Sequence, residues 1–376
     1  MAILKYDIAH SYASSFKEGL VELIARIDPQ RVPVRVVVFG NPLSEEQYVA
    51  ERFLIVEALF DRYGDRSPVI SYVAQTPLAA TLVMESQTIA PELELAFALY
   101  GEHRYAKVMT EEGKMIFTEG ILPLDLGAPI IAQSSEVFGV VGDILRHEDL
   151  SPGDISRQWN YIEQITSIRN ERQNYQEFND ARTDFYSTTL WKDGYPAATG
   201  IGTAFGGVMV EIDAAKLTGV RIVALDNSLQ VAAHEYSKQV LLGSTTLSTP
   251  KFERAKAVDY GHGMVKIYIS GTAAIRGEDS LTGVGIAAQT LATLENIEFL
   301  CSTENLSTFG VRVDSAVHYS ALRVYLKFRS DYLAAREIIE QRYGLDLPVL
   351  YVLTDVCRDE LLIEIEGTAE YNPNKC

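Results

Sequence analysis

At 376 residues the chain is long enough for two or three domains, each with its own core. Its 47% hydrophobic and 22% charged residues are ordinary for a globular protein. A formal charge of −18, with no Lys/Arg cluster, argues against a nucleic-acid partner, because a phosphate backbone requires a basic footprint.

The N-terminus, Met-Ala-Ile-Leu-Lys-Tyr-Asp, lacks a basic region followed by an apolar one, and no apolar run reaches the length of a membrane span. A cytoplasmic protein with no membrane partner is therefore expected. Cys301, Cys357 and Cys376 show no CxxC spacing and the six histidines no HExxH, so the sequence offers no metal framework and suits a reducing compartment.

In chain order, residues 8–27 read as a helix and residues 34–39 (Val-Arg-Val-Val-Val-Phe) as a buried strand. Ser44 and Gln47 have capping-box spacing, and Val49, Phe53, Val56 and Phe60 follow at helical period. Gly64 stops that helix after Arg62 and Tyr63. Strands at 68–74 and 81–85 complete the order.

The C-terminal part repeats it: a helix at 287–301, a strand at 322–328, a helix capped by Ser330 and ending at Arg342-Tyr343-Gly344, then strands at 348–353 and 361–365. Arg-Tyr-Gly followed by Pro-Val occurs at 62–69 and again at 342–349, in the same slot. A middle copy follows the same template. Lys114-Met-Ile-Phe-Thr parallels Lys266-Ile-Tyr-Ile-Ser, and Gln158-Trp-Asn-Tyr-Ile takes the place of Leu322-Arg-Val-Tyr-Leu. A helix with Tyr175, Phe178, Ala181 and Phe185 follows, and Val210-Glu211-Ile212-Asp213 stands against Ile363-Glu364-Ile365-Glu366. In the first copy the matching run is Leu82-Val83-Met84-Glu85, with the carboxylate displaced by one residue or replaced by Met84. The expected organisation is an α+β protein of three units: a degenerate one at 1–95, a second at 96–216, and a third at 217–376 with an inserted segment at 220–260.

Glu364 is the residue with the most chemical content. It lies among Leu362, Ile363 and Ile365, where burial favours the neutral carboxyl and makes a proton donor that works near neutral pH. Strand alternation also allows Glu364 and Glu366 to line a solvated face. The glycine-rich run at 200–207 has the look of a phosphate loop, but it leads into a strand pattern rather than a helix, which speaks against a dinucleotide site.

The unit order passes through Ile269-Ser270-Gly271-Thr272 to a Gln-bearing helix and ends on a Val/Ile-Glu-Ile-Glu strand. It resembles the Rid/YjgF (chorismate-mutase-like) fold, whose members are usually homotrimers with sites in the clefts between subunits. The resemblance implies three fused units forming an intramolecular pseudo-trimer, with a monomer expected and a homo-oligomer left open. Within residues 155–370 the resemblance narrows. Gln158-Trp-Asn-Tyr-Ile, the Pro196 to Thr203 run, the Asp226 to Tyr236 run, Thr249-Pro-Lys-Phe-Glu-Arg-Ala, Ile269-Ser-Gly-Thr-Ala and the Cys357 to Glu366 segment together resemble the chorismatase family. These Rid-like enzymes remove pyruvate from chorismate.

That resemblance implies chorismate as substrate, no cofactor, and Glu364 as the acid that protonates the enolpyruvyl methylene. Cys357 falls where members releasing 3-hydroxybenzoate carry Cys and members stopping at the dihydroxycyclohexadiene carry Ala, so 3-hydroxybenzoate is the expected product. A dianionic substrate needs cations, for which Arg254, Arg323 and Lys238 are the candidates. Tyr236, Ser270 and Gly271 are placed at the substrate by their motifs. The segment 233–243 departs from the family's aromatic-Gly-Pro pattern, so this wall of the pocket is expected to differ. Two rivals share the fold. A Rid-type imine deaminase holds the substrate carboxylate with an Arg at the place occupied here by Val349, and a non-catalytic binding protein would have no use for both Cys357 and Glu364.

Overall fold

A computed structural model describes residues 4–169, 171–235, 237 and 248–373. The protein is α+β, with three large sheets following one another along the chain. Each contains the same three-strand core. A unit-closing strand runs antiparallel to a middle strand, and the middle strand runs parallel to a third. The sets are Leu82–Ile89, Val32–Phe39 and Val69–Val73; Val208–Leu217, Ile155–Glu163 and Ala197–Thr203; and Ile363–Tyr371, His318–Leu326 and Val349–Leu353. A parallel pair needs a crossover, and the helices Glu45–Tyr63, Asn174–Tyr186 and Tyr332–Tyr343 supply it.

The duplicated Arg-Tyr-Gly is explained by these crossovers. Gly64 and Gly344 end the first and third of them with φ of 56° and 82°, a conformation that penalises a side chain. Gln133 and Gln289 are a second repeated device. Each lies on the helix preceding its middle strand, and each amide oxygen accepts the N–H that opens the closing strand, from Val208 and Leu362 at 2.9 and 2.8 Å. The first unit also reaches across to the third: Thr76–Pro77 pairs with Val349–Leu353 and finishes its sheet.

Three expectations change. Residues 8–27 are not one helix: Lys5–Ser11 is a strand paired with Leu82–Ile89, and the helix is Phe16–Ala25, started by the Ser15 hydroxyl. Short polar alternation at the N-terminus carried no strand signal without its partner in view. Val49, Phe53, Val56 and Phe60 are exposed, and Tyr48, Ile55 and Leu59 of the same helix enter the core instead. Ser330 does not cap the helix Tyr332–Tyr343, which is entered through a short 3-10 turn.

The three sheets meet around buried arginines. Arg35, Arg157 and Arg323 occupy the same position on the three middle strands, opposite Gln87, Asp213 and Glu366. Two residues further on, Val37, Trp159 and Tyr325 oppose Glu85, Glu211 and Glu364. This register corrects the alignment of the first copy, in which Glu85 itself is the counterpart of Glu364 and Met84 is not. It also shifts Gln158-Trp-Asn-Tyr-Ile by two residues, so that Trp159 matches Tyr325.

Each arginine binds the next unit in a closed cycle. Arg35 Nη1 donates to Asp213 Oδ1 at 2.7 Å, Arg157 Nη2 donates to Glu366, and Arg323 Nε and Nη2 grip both oxygens of Glu85 at 2.8 Å. All three are buried, and such a cation is retained only when its charge and N–H groups are matched.

Candidate active site

The cycle gives the three equivalent carboxylates three different surroundings. Burial alone would raise Glu85, but its bidentate partner Arg323 holds it below the usual carboxylate range. Glu211 is fully buried with Arg35 Nε 3.6 Å away, and burial raises it against the pull of Arg35 and Arg323. Glu364 lines the pocket formed by the glycine-rich strand, the helix Asn174–Tyr186 and the turn at Cys357, with no arginine among the described residues gripping it as Arg323 grips Glu85.

That pocket lies between the second and third units. Its floor is the glycine-rich strand Ala197–Thr203 laid against the strand Met264–Ala273. Ala198 N–H donates to Ser270 Oγ at 2.9 Å and Gly271 N–H donates to Thr199 Oγ1 at 3.0 Å. The glycines there serve close approach rather than phosphate binding. A Cβ on Gly200 would come within 2.9 Å of Tyr175 Cε2, and one on Gly202 within 2.8 Å of the Asp355 carbonyl oxygen. Helix Asn174–Tyr186 adds Tyr175, Gln176 and Asn179; the approach to strand Ala255–Gly261 adds Pro250, Phe252 and Arg254; and the turn before the closing strand adds Cys357, Arg358 and Leu361.

Glu364 is 5% exposed, and its carboxyl lies directly over Gly271, where a Cβ would overlap Oε1. Burial first, and then the Glu366 carboxylate, push Glu364 up to about 8 against the pull of Arg157 and Arg254. At neutral pH it therefore holds its proton in a pocket that contains cations, which is the condition for a general acid. The Cys357 thiol is pushed up to about 12 by burial and by Glu364, so it stays a neutral thiol rather than a nucleophilic thiolate.

Of the residues singled out in the sequence, Glu364, Cys357, Arg254 and Gly271 converge on this pocket. Arg254 also donates through Nη2 to the Val231 carbonyl at 2.7 Å. Ser270 is buried one step away, its hydroxyl donating to the Glu253 carbonyl at 2.6 Å, so it fixes the floor. Arg323 is outside the pocket, and its guanidinium is taken up by Glu85, Glu366 and Tyr161. Tyr236 and Lys238 lie outside the described residues.

Sequence reasoning missed Tyr175, Gln176, Asn179, Phe252 and, beside Tyr175, the buried Arg182, whose Nη2 donates to Asn179 Oδ1 at 2.6 Å. The one available signal was an arginine on the apolar side of the 175–185 helix.

Comparison with known proteins bears on the same region. The family described as "Chorismatase FkbO/Hyg5-like, N-terminal" matches residues 100–214. A Streptomyces hygroscopicus protein named 3-hydroxybenzoate synthase is 33% identical over 226 residues, 58% of this chain and 64% of that protein, so the matched stretch spans just under two thirds of that relative. A crystal structure of a chorismatase superposes with a TM-score of 0.69 at 19% identity, covering 98% of this chain and 99% of the other, which establishes a shared fold. A chorismatase of Streptomyces rapamycinicus is 30% identical over 257 residues, 66% of this chain and 73% of that protein. On that extent of likeness, the chain belongs to the chorismatase family.

Proposed function

We propose that the protein removes pyruvate from chorismate and releases a hydroxybenzoate, with Glu364 as the general acid. The observation that carries this reading is a buried carboxyl, pushed up to about 8 by its burial, at the wall of a pocket that also presents Arg254 and Arg358. An enol ether resists hydrolysis until its terminal carbon is protonated. Proton transfer from Glu364 to the methylene would make it a methyl group and leave an oxocarbenium centre on the ether carbon. Attack there by water gives a hemiketal, and cleavage of its bond to the ether oxygen would free pyruvate and the diene diol. Attack by the neighbouring substrate hydroxyl gives a cyclic ketal; one ring C–O bond then breaks, a ring proton is lost as the ring becomes aromatic, and the remaining hemiketal collapses to pyruvate and the hydroxybenzoate. The hydroxybenzoate route is an isomer-balanced split of chorismate, whereas the diene-diol route consumes one water.

Arg254 and Arg358 are the cations we assign to the two carboxylates of the substrate, with charge-assisted hydrogen bonds that set which end faces Glu364. The primary test is incubation of the purified protein with chorismate, with lactate dehydrogenase reporting pyruvate and chromatography identifying the aromatic product. Absence of pyruvate above background overturns the reading, and an assay of 2-aminoacrylate quenching separates it from the deaminase reaction.

Two further outcomes follow from the geometry. Because the acid form of Glu364 is the active one, kcat should be level below about pH 7 and fall tenfold per pH unit above about 8, where burial has pushed this carboxyl. A rate that rises through that range would contradict the assignment. Cys357→Ala should change the ratio of hydroxybenzoate to diene diol more than the rate of pyruvate release, because the neutral thiol borders the pocket without attacking anything. An unchanged ratio would remove the thiol from product control.

A further inference from the structure

The carboxylate two residues beyond the acid sits in opposite surroundings. Five side-chain groups donate to Glu366. Trp159 Nε1 and Tyr325 Oη reach Oε1 at 2.9 Å, Arg323 Nη1 reaches it at 3.3 Å, and Arg157 Nη2 and the Thr199 hydroxyl bond Oε2. Thr199 fixes the direction of this array. Its oxygen accepts from Arg157 at 2.7 Å and from Gly271 N–H at 3.0 Å, so its single proton is left for Glu366. Indole and guanidinium groups can only donate. A carboxyl receiving all these N–H and O–H groups has no room for a proton of its own and is an anion.

None of those five donors serves Glu364. Residues two apart on a strand share a face, so the two carboxyl groups lie on the same side of Ile363–Tyr371. The wall between them is the same threonine, since Thr199 Cγ2 and the Glu364 carboxyl both crowd the missing Cβ of Gly271. The other ionisable groups acting on Glu364 are Arg157 from the middle strand of the second unit, Arg254 from the segment before strand Ala255–Gly261, Tyr175 from the helix and Cys357 from the turn, where Arg358 faces the same pocket. Tyr325, which pairs opposite Glu364, turns its hydroxyl to Glu366. Among these groups Glu366 is a fixed negative charge close by, and a like charge opposes a second ionisation.

We propose that Glu366 is a positioning residue for the reaction: locked as an anion by donors from the second and third units, it keeps the proton on Glu364. This rests on the reading of Glu364 as the acid. It also gives the central arginines a second role. Arg157 and Arg323, which tie the units together, hold the charge that tunes the acid, so the chemistry of one pocket is set by the closure of the whole assembly.

The test is the titration of Glu364 followed by infrared difference spectroscopy of its carboxylic acid band. The full chain is used, with Glu364→Gln as the blank, alongside the pH profile of pyruvate release from chorismate. In Glu366→Gln the Glu364 midpoint should fall by about one pH unit or more, with the alkaline limb of the rate moving in step. Glu366→Asp should restore part of the shift. If Glu366→Gln does not fold, Glu366→Met, which has a similar size and no charge, should lower the Glu364 midpoint in the same way. A folded Glu366→Gln or Glu366→Met whose Glu364 midpoint stays where it is in the parent overturns the proposal. The infrared midpoint decides this even if chorismate proves inert, so failure of the coupling and failure of the substrate assignment are read separately.

Discussion

Glu364→Gln should lower the rate of pyruvate release from chorismate by about 10²- to 10⁴-fold, the span that general acids contribute, with the protein still folded. The glutamine amide has the shape of the acid and cannot give up a proton to carbon. Its effect on stability should run the other way from its effect on rate. The Glu364 carboxyl is raised to about 8 in the folded state, so the folded protein holds a proton that the unfolded chain releases at ordinary carboxylate values. Folding stability contributed by this group is therefore fully present below about pH 4 and is lost as pH rises towards 8. Replacing it with glutamine removes that loss, so the variant should be at least as stable as the parent at pH 8. Full activity in Glu364→Gln would sink the assignment. A variant both inactive and unfolded at neutral pH would contradict the sign argument.

The second large effect concerns the core. Arg323→Ala should destabilise the protein by about 3–5 kcal/mol in denaturant titrations at neutral pH, because it leaves Glu85 as a buried charge without its partner. Arg323 grips both Glu85 oxygens at 2.8 Å and also donates to Tyr161 and Glu366, and removing one partner leaves the buried others with their full desolvation penalty. The deficit should shrink in acid. In the parent, Glu85 is held below the usual range, so its contribution is present at neutral pH and lost as pH falls through its folded value. Without Arg323 that contribution is missing already. A loss below about 1 kcal/mol at neutral pH, as for an exposed pair, would mean that Glu85 finds another partner.

These two residues also mark how far the sequence could be read. The crossover helices were legible because Arg-Tyr-Gly recurs before a Pro-Val strand and because glycine is required at the left-handed stop. Glu364 drew notice because a carboxyl flanked by Leu and Ile is costly to bury, but the same alternation fits a solvated strand face, and its role as an acid came only from the family resemblance. Arg323 was misassigned to the substrate for a physical reason. A cation on an apolar strand announces only that it must be paired, and the partner, Glu85, is 238 residues away. The strand Lys5–Ser11 and the exposed Val49, Phe53, Val56 and Phe60 stripe fail for the same cause. Hydrophobic period gives a face but not which side the rest of the molecule occupies. The helix wall with Tyr175 and Asn179 was invisible as a site because its residues act on a strand of a different unit.

The Arg35, Arg157 and Arg323 cycle carries one more consequence. In an assembly of three identical chains every replacement is made in triplicate, so a change that suits one cleft is imposed on the other two. Fusion into a single polypeptide breaks that constraint. Glu85 is clamped by Arg323, Glu211 is sealed in the interior and Glu364 faces the pocket over Gly271, although all three hold the same place in the strand register. Such a molecule can vary one cleft while the other two carry the task of holding it together.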